Sequence, residues 1–253
     1  RAGISVPGGY EYTSPEAGMA DYRMYAGKPV VIKPKSTNFG LGITILKHNY
    51  DETDFKAALQ IAFEHDNTVL IEKFIPGREF RIFIINDEVV GILHRVPANV
   101  TGDGVLNIGQ LIDRKNEDPL RGKGYRTPLE KIRKGREEEM FLKQQGMDFN
   151  TVPKEGEVVY LRENSNISTG GDSIDFTDDI DDSYKAIAVE AAKALNVKIT
   201  GLDMMIQDIH APATPDNYAI IEMNFNPAIH IHCYPFKGKN RHLNHKMIRA
   251  LGF

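Results

Sequence analysis

Apolar and polar positions along the chain alternate between two periods. From Asp51 to His65, the residues Phe55, Ala58, Leu59, Ala62 and Phe63 recur at helical spacing, which predicts an amphipathic helix. Asp181 to Leu195 repeats that pattern, with Ile187, Ala188, Ala191, Ala194 and Leu195 expected inward. A short helix is expected over 14–25, with Ser14 as N-cap and Pro15 at its first position. Modest helical patterns lie near 128–134 and 136–145, and a last one near 243–251. Short apolar runs at 29–34, 43–46, 68–75 and 157–162 predict strands. Residues 79–85 and 88–96 predict a hairpin around Asn86-Asp87, and 198–208 with 217–225 predict a second strand pair. The stretch 97–156 is rich in Gly, Pro and charge, and there is no internal repeat. Alternation of strand and helix is incomplete, so the pattern predicts an α+β fold of two lobes rather than a parallel βαβ sheet.

Composition narrows the function classes. At 253 residues, 41% hydrophobic and 26% charged, the chain is ordinary for a globular protein with room for two lobes around a cleft. No run of eighteen apolar residues predicts a membrane span. A net charge of -4 argues against nucleic acid as a partner. The single cysteine, Cys233, rules out an internal disulfide and fits a reducing, cytoplasmic setting. "RAGISVPGG" opens the chain like the tail of a helix followed by a turn, so a fragment of a longer protein is expected.

Chemistry enters where charge interrupts apolar strands. In "IIEMNFNP" (220–227), Glu222 and Asn224 are two residues apart and share one strand face, with Ile221, Met223 and Phe225 on the other. Asp203 interrupts "GLDMMI" in the same way. Burying unpaired carboxylates is costly. Hard oxygen donors of this kind suit Mg²⁺ or Mn²⁺, although a solvated edge face would serve equally well. Lys33 ends an apolar strand, and 36–42 offers hydroxyls and glycines whose backbone N–H groups could approach phosphate, or could merely turn a hairpin. The pattern is neither a P-loop nor GxGxxG. "IEKFIPGREFR" (71–81) sets Glu72, Lys73 and Glu79 around a Pro-Gly turn. Arg81, Arg95 and Arg162 sit in or at the ends of apolar strands, where arginine awaits carboxylate or phosphate or forms structural ion pairs. The histidines around Cys233 lack the spacing of a zinc site.

Taken in order, these features resemble the ATP-grasp superfamily from about Ile4 to Pro227. "HRVPANVTGDGVLNIGQLI" (94–112), "DPLRGKGYRTPLEKI" (118–132) and "VYLRENSNISTGGDSID" (159–175) resemble the branch that holds cyanophycin synthetases and the glutathione synthetase module of bacterial bifunctional glutamate–cysteine ligase/glutathione synthetases. The ending "NFNPAIHIHCYPFKGKNRHLNHKMIRALGF" is similar to the latter. The resemblance implies two α+β lobes with mostly antiparallel sheets clamping ATP: a lead-in over 1–27, a small lobe over 28–77 and a large lobe over 78–253. It implies ligation of γ-glutamylcysteine to glycine through an acylphosphate. The alternatives are a cyanophycin- or dipeptide-type ligase and a non-catalytic ATP-binding module. ATP and two Mg²⁺ or Mn²⁺ are the implied cofactors, with a glutamate–cysteine ligase domain upstream and a homodimer as one option. Residue by residue, Lys33 resembles the phosphate lysine, and Thr37, Gly40 and Gly42 fall in the lid loop. Glu72, Lys73 and Ile75 match the adenine hinge, and Glu79 the ribose carboxylate. Asp203, Glu222 and Asn224 match the metal trio, and Arg162 the arginine on the transferring phosphate. Arg95, Asn164, Ser168 and Thr169 fall where the other substrates bind.

Overall fold

The computed structural model describes residues 3–37, 41–47 and 49–252. The first sheet is antiparallel: β1 (Gly9–Tyr12), β2 (Val30–Pro34), β3 (Thr44–Leu46) and β4 (Val69–Lys73) lie in the order β1-β4-β2-β3. Three helices accompany it: α1 (Pro15–Ala20), α2 (Tyr22–Tyr25) and α3 (Glu52–Phe63). The Ser14 hydroxyl accepts from the Ala17 N–H, as its cap position predicts, but the helix expected over 14–25 breaks at Asp21 into α1 and α2. Asp51 and Asp54 cap α3 reciprocally. Phe55, Ala58, Leu59 and Ala62 of α3 bury against Ile32 and Ile71 of the sheet, with Tyr12 and Tyr25 closing the core. Residues 9–25 are therefore built into the small unit, which starts well before residue 28. Further upstream, the Ser5 carbonyl accepts from Ile220 N and the Gly8 carbonyl from Lys73 N, so 5–8 ties the two sheets together.

The hairpin predicted around Asn86-Asp87 forms as β5 (Arg78–Ile85) and β6 (Glu88–Val96). The stretch after it is more ordered than its composition implies. It holds β7 (Asn99–Thr101), α4 (Ile108–Lys115), β8 (Arg121–Gly122), β9 (Leu129–Glu130), α5 (Arg136–Gln144) and β10 (Val158–Tyr160). α4 carries a legible capping box, Asn107 with Gln110. The helix expected over 128–134 is absent: β9 pairs with β8, and the Asn116 side chain satisfies both N–H and C=O of Ile132 at 2.9 and 2.8 Å. Tertiary hydrogen bonds thus replace the helical ones. Asp172 staples this region to the rest, accepting from Lys115 at 2.7 Å, from Asn99 at 3.1 Å and from the buried Arg121.

The chain continues through β11 (Asp172–Asp175), α6 (Asp182–Ala194), β12 (Ile199–Ile206), β13 (Tyr218–Asn224), α7 (His230–Cys233) and α8 (Leu243–Ala250). The large antiparallel sheet runs β11-β6-β5-β12-β13. One face packs Phe80, Ile82, Ile84, Ile92, Leu202, Met204, Ile206 and Ile220 against Tyr184, Ala188 and Ala191 of α6. Ala194 and Leu195, expected inward, lie exposed at the end of that helix. On the opposite face Phe83, Ile85 and Val90 are covered at one end by Cys233 and Leu243. The rest of that face carries Glu79, Arg81 and Asp203, with Leu93 and Met205 among them. No helix among the described residues is long and apolar enough to cross a membrane.

Candidate active site

Two strands bring the predicted metal residues together. Asp203 on β12 stands directly opposite Glu222 on β13, and Gly201 opposite Asn224. Opposed residues of an antiparallel pair share a face, so Asp203, Glu222 and Asn224 point to the same polar side. A β-bulge makes this possible. Met204 pairs with Ile220 and Asp203 with Glu222, leaving Ile221 as the extra residue between them. Ile220 and Met223 both pack toward α6, three residues apart, which strict alternation forbids. The bulge switches the phase of the strand and re-aims Glu222 out of the core. The strand ends at Asn224, so Phe225, expected inward, is 89% exposed.

The large-sheet carboxylates are held by arginines. Arg81 lies beside Asp203 on β5 and forks onto it: Nη2 donates to Oδ2 at 2.7 Å and Nε donates to Oδ1. Arg95 of β6 adds a third donor to Oδ2 at 3.3 Å and also pairs with Glu79. Ser165 donates to the other Glu79 oxygen at 3.1 Å. Glu79, Arg95, Asp203 and Arg81 thus form one continuous chain of charge across three strands. Gly201 makes room for it, because a Cβ there would stand 3.1 Å from Arg81 Cδ and 2.7 Å from Pro227 Cβ. Asp203 is 2% exposed, whereas Glu222 is exposed. Burial works against the charge of Arg81, but hydrogen bonding and the field of Asp203, with Glu222 adding, hold it more firmly protonated than usual. On the same face, packed edge-on against Phe83, His232 is fully buried with neither ring nitrogen hydrogen-bonded. Burial, then the nearby Arg81, drops its pKa to about 3, so it stands neutral.

The small sheet presents a second pair. Lys33 on β2 and Glu72 on β4 meet at 2.7 Å, each about one-fifth exposed. Lys73 is exposed and Ile75 half-buried at the strand end. Thr37 donates its hydroxyl to the Leu41 carbonyl at 3.0 Å. Gly40 lies outside the described residues. Gly42 has φ +76° and packs so closely that a Cβ would stand 2.7 Å from Pro34 and from His65, so its glycine is explained by the turn itself.

The other expected residues lie just after β10, and each has a place within the protein. Arg162, matched to the transferring phosphate, is drawn to α5, where its Nε donates to Glu138 at 2.6 Å and it also pairs with Glu137. The nearly buried Glu138 carboxylate requires a cation there, and Arg162 supplies it. Asn164 and Thr169 bond each other at 3.0 Å inside their own loop, with Ser168 half-buried between them. Arg81 had no assigned role, although its position in an apolar strand marked it. Ser165 gave no signal beyond its neighbours.

The donor set at Asp203, Glu222 and Asn224 is all hard oxygen on one sheet face, which fits Mg²⁺ or Mn²⁺ better than softer metals. Among the described residues no three His, Cys, Asp or Glu side chains converge as a metal cluster. The donors this face offers are two carboxylates and an amide.

These features define the class: the chain has the ATP-grasp fold. Residues 11–107 match the family described as D-ala D-ala ligase C-terminus. The ATP-grasp ligase PsnB, complexed with precursor peptide PsnA2 and AMPPNP, matches 98% of this chain and 55% of its own at TM-score 0.51 and 15% identity, which speaks to fold alone. More specifically, the chain is homologous over its whole length to part of the glutathione biosynthesis bifunctional proteins GshAB. It is 62% identical to that of Desulfotalea psychrophila across 100% of the chain and 32% of the relative. A crystal structure of a bifunctional glutathione synthetase from Pasteurella multocida matches at TM-score 0.74 and 47% identity, over 99% of this chain and 34% of that one. The chain spans about a third of the length of these relatives.

Proposed function

We propose that this chain is the ATP-dependent ligase module that joins γ-glutamylcysteine to glycine, yielding glutathione, ADP and phosphate, within a longer bifunctional protein. The observation that carries the reading is the bulge that turns Glu222 onto the face of Asp203 and Asn224. Homology to GshAB proteins supports the substrate class.

In this reading the cysteinyl carboxylate attacks the γ-phosphorus in line, and the glycine amine then displaces phosphate from the acylphosphate. The protein's part is positioning and charge neutralisation. Asp203, Glu222 and Asn224 would hold divalent cations, which when bound neutralise the triphosphate. Lys33 would leave Glu72 for the phosphates, and Glu72, Lys73 and Ile75 would frame the base. Glu79, steadied by Arg95 and Ser165, would meet the ribose. The loop around Thr37, Gly40 and Gly42 would exclude water from the acylphosphate. The setting is expected to be cytoplasmic.

The test is phosphate release by the full-length protein with ATP, Mg²⁺ and γ-glutamylcysteine, with and without glycine. Release that requires glycine and disappears in Asp203→Asn supports the reading. Release only with other amino acids or peptides keeps the ligase and discards the substrate pair. ATP binding with no release under any pairing indicates a non-catalytic nucleotide module.

A further inference from the structure

We propose that Arg81 is an intramolecular counter-ion occupying the cation position at Asp203, so that metal and nucleotide can enter only together. The inference rests on Asp203 and Glu222 being the cation site of the reading above.

Both oxygens of Asp203 are engaged: Arg81 takes Oδ1 and Oδ2 through its fork, and Arg95 takes Oδ2 again at 3.3 Å. The carboxylate is 2% exposed and three donors crowd it, so an arriving ion meets the guanidinium groups first. A divalent cation that ligates Asp203 must displace at least one guanidinium bond. A displaced guanidinium on a strand with 9% exposure cannot remain unpaired without a large cost. Glu222 already contributes to the field on Arg81, but the same cation would claim that carboxylate. The anion that resolves the conflict is one that arrives with the metal, a polyphosphate. Arginine's planar fork exchanges a carboxylate for a phosphate with little loss of geometry. The glycine at position 201 gives the guanidinium its berth, since a side chain there would crowd Arg81 Cδ at 3.1 Å and Pro227 at 2.7 Å. Metal alone meets a closed site, whereas metal with nucleotide gives every charge a partner. This makes the two ligands reciprocally cooperative.

The probe is Mn²⁺ binding to the full-length protein, read by loss of the free-ion EPR signal, with and without AMPPNP. Wild type should bind Mn²⁺ weakly alone and far more tightly with the nucleotide. In Arg81→Gln, Mn²⁺ affinity without nucleotide should rise roughly tenfold, within the range common for couplings between sites, and the nucleotide's effect should shrink correspondingly. Arg81→Lys, which keeps the charge and loses the fork, should fall between them and serves if Arg81→Gln does not fold. Arg95→Gln, which removes only one long bond, should raise affinity less than Arg81→Gln. Unchanged or weaker Mn²⁺ binding in the Arg81 variants, with binding lost in Asp203→Asn, overturns the counter-ion role and keeps the metal site. Binding that survives Asp203→Asn unchanged removes the metal assignment and this inference with it.

Discussion

The two sheets each carry an ion pair at the proposed nucleotide site, and the pairs are built differently. On the small sheet, Lys33 and Glu72 meet through one contact at 2.7 Å, both about one-fifth exposed. On the large sheet, Asp203 is 2% exposed and receives three donors from two arginines. Solvent near the first pair screens each charge, so either partner can leave at little cost. The second pair is held in low dielectric, where removing one partner strands the other. The small sheet therefore offers a pair that a ligand can open by itself. The large sheet offers one that opens only when replacement charges of both signs arrive.

The comparison breaks most readily at Asp203. Asp203→Ala leaves Arg81 and Arg95 without their carboxylate and should cost about 3–5 kcal/mol of stability, read by urea unfolding. A loss below about 1 kcal/mol would mean the large-sheet pair is no more demanding than the small-sheet one. Next comes Glu222→Gln. Because Glu222 is exposed, the fold should survive, and glycine-dependent turnover should fall by at least ~100-fold, as when a transition-state charge partner is lost. Full turnover would detach Glu222 from the chemistry and leave Asp203 as a purely structural anchor.

Acid pH tests the same contrast. His94 donates from Nδ1 to the Glu79 carbonyl at 2.9 Å, and burial, then Arg78, depresses its pKa to about 4. His232 is depressed to about 3. Both are protonated more readily in the unfolded chain, near the ordinary value of 6.5. Stability from these histidines is thus fully present above about pH 6.5 and is lost as pH falls toward the folded values. Urea midpoints should decline from pH 7 to 5. His94→Phe, which keeps an aromatic beside Phe80 and Phe176, should flatten part of that decline. A midpoint that stays level over this range would place both histidines in contact with water.

Much of this was legible in the residues. The helix over 52–63, the hairpin at Asn86-Asp87 and the paired strands bearing Asp203 and Glu222 follow from periodicity, because each buries one continuous apolar face. The bulge at Ile221 was not legible, since it depends on which residue of β12 each residue of β13 meets. Within 97–156 the helix expected over 136–145 forms, but the rest resisted for a related reason. Its order comes from distant hydrogen bonds such as Asn116 to Ile132 and Arg121 to Asp172, and these leave no local period. The partners of Arg162 were not legible either, because an arginine at a strand end does not reveal which carboxylate it meets. Glu137 and Glu138, in plain view on α5, are the ones that hold it.

The smallest effect is expected on the small sheet, and it completes the contrast. Glu72→Gln removes the anion from Lys33 and leaves a neutral group of the same size. Partial exposure lets water solvate the freed ammonium, so stability should change by less than about 1 kcal/mol. The nucleotide should respond in two opposed ways. Lys33 becomes free for phosphate without first leaving a partner, which favours the triphosphate. The hinge loses a group proposed to frame the base, which weakens adenosine. Measured affinities for ATP and adenosine separate these terms: the ATP-to-adenosine affinity ratio should rise by roughly two- to fivefold, the scale of one exposed ion pair. A ratio that stays constant would mean that Lys33 and the phosphates never meet. The small-sheet pair would then be a structural clasp between β2 and β4, and nucleotide charge would be handled by the large sheet alone.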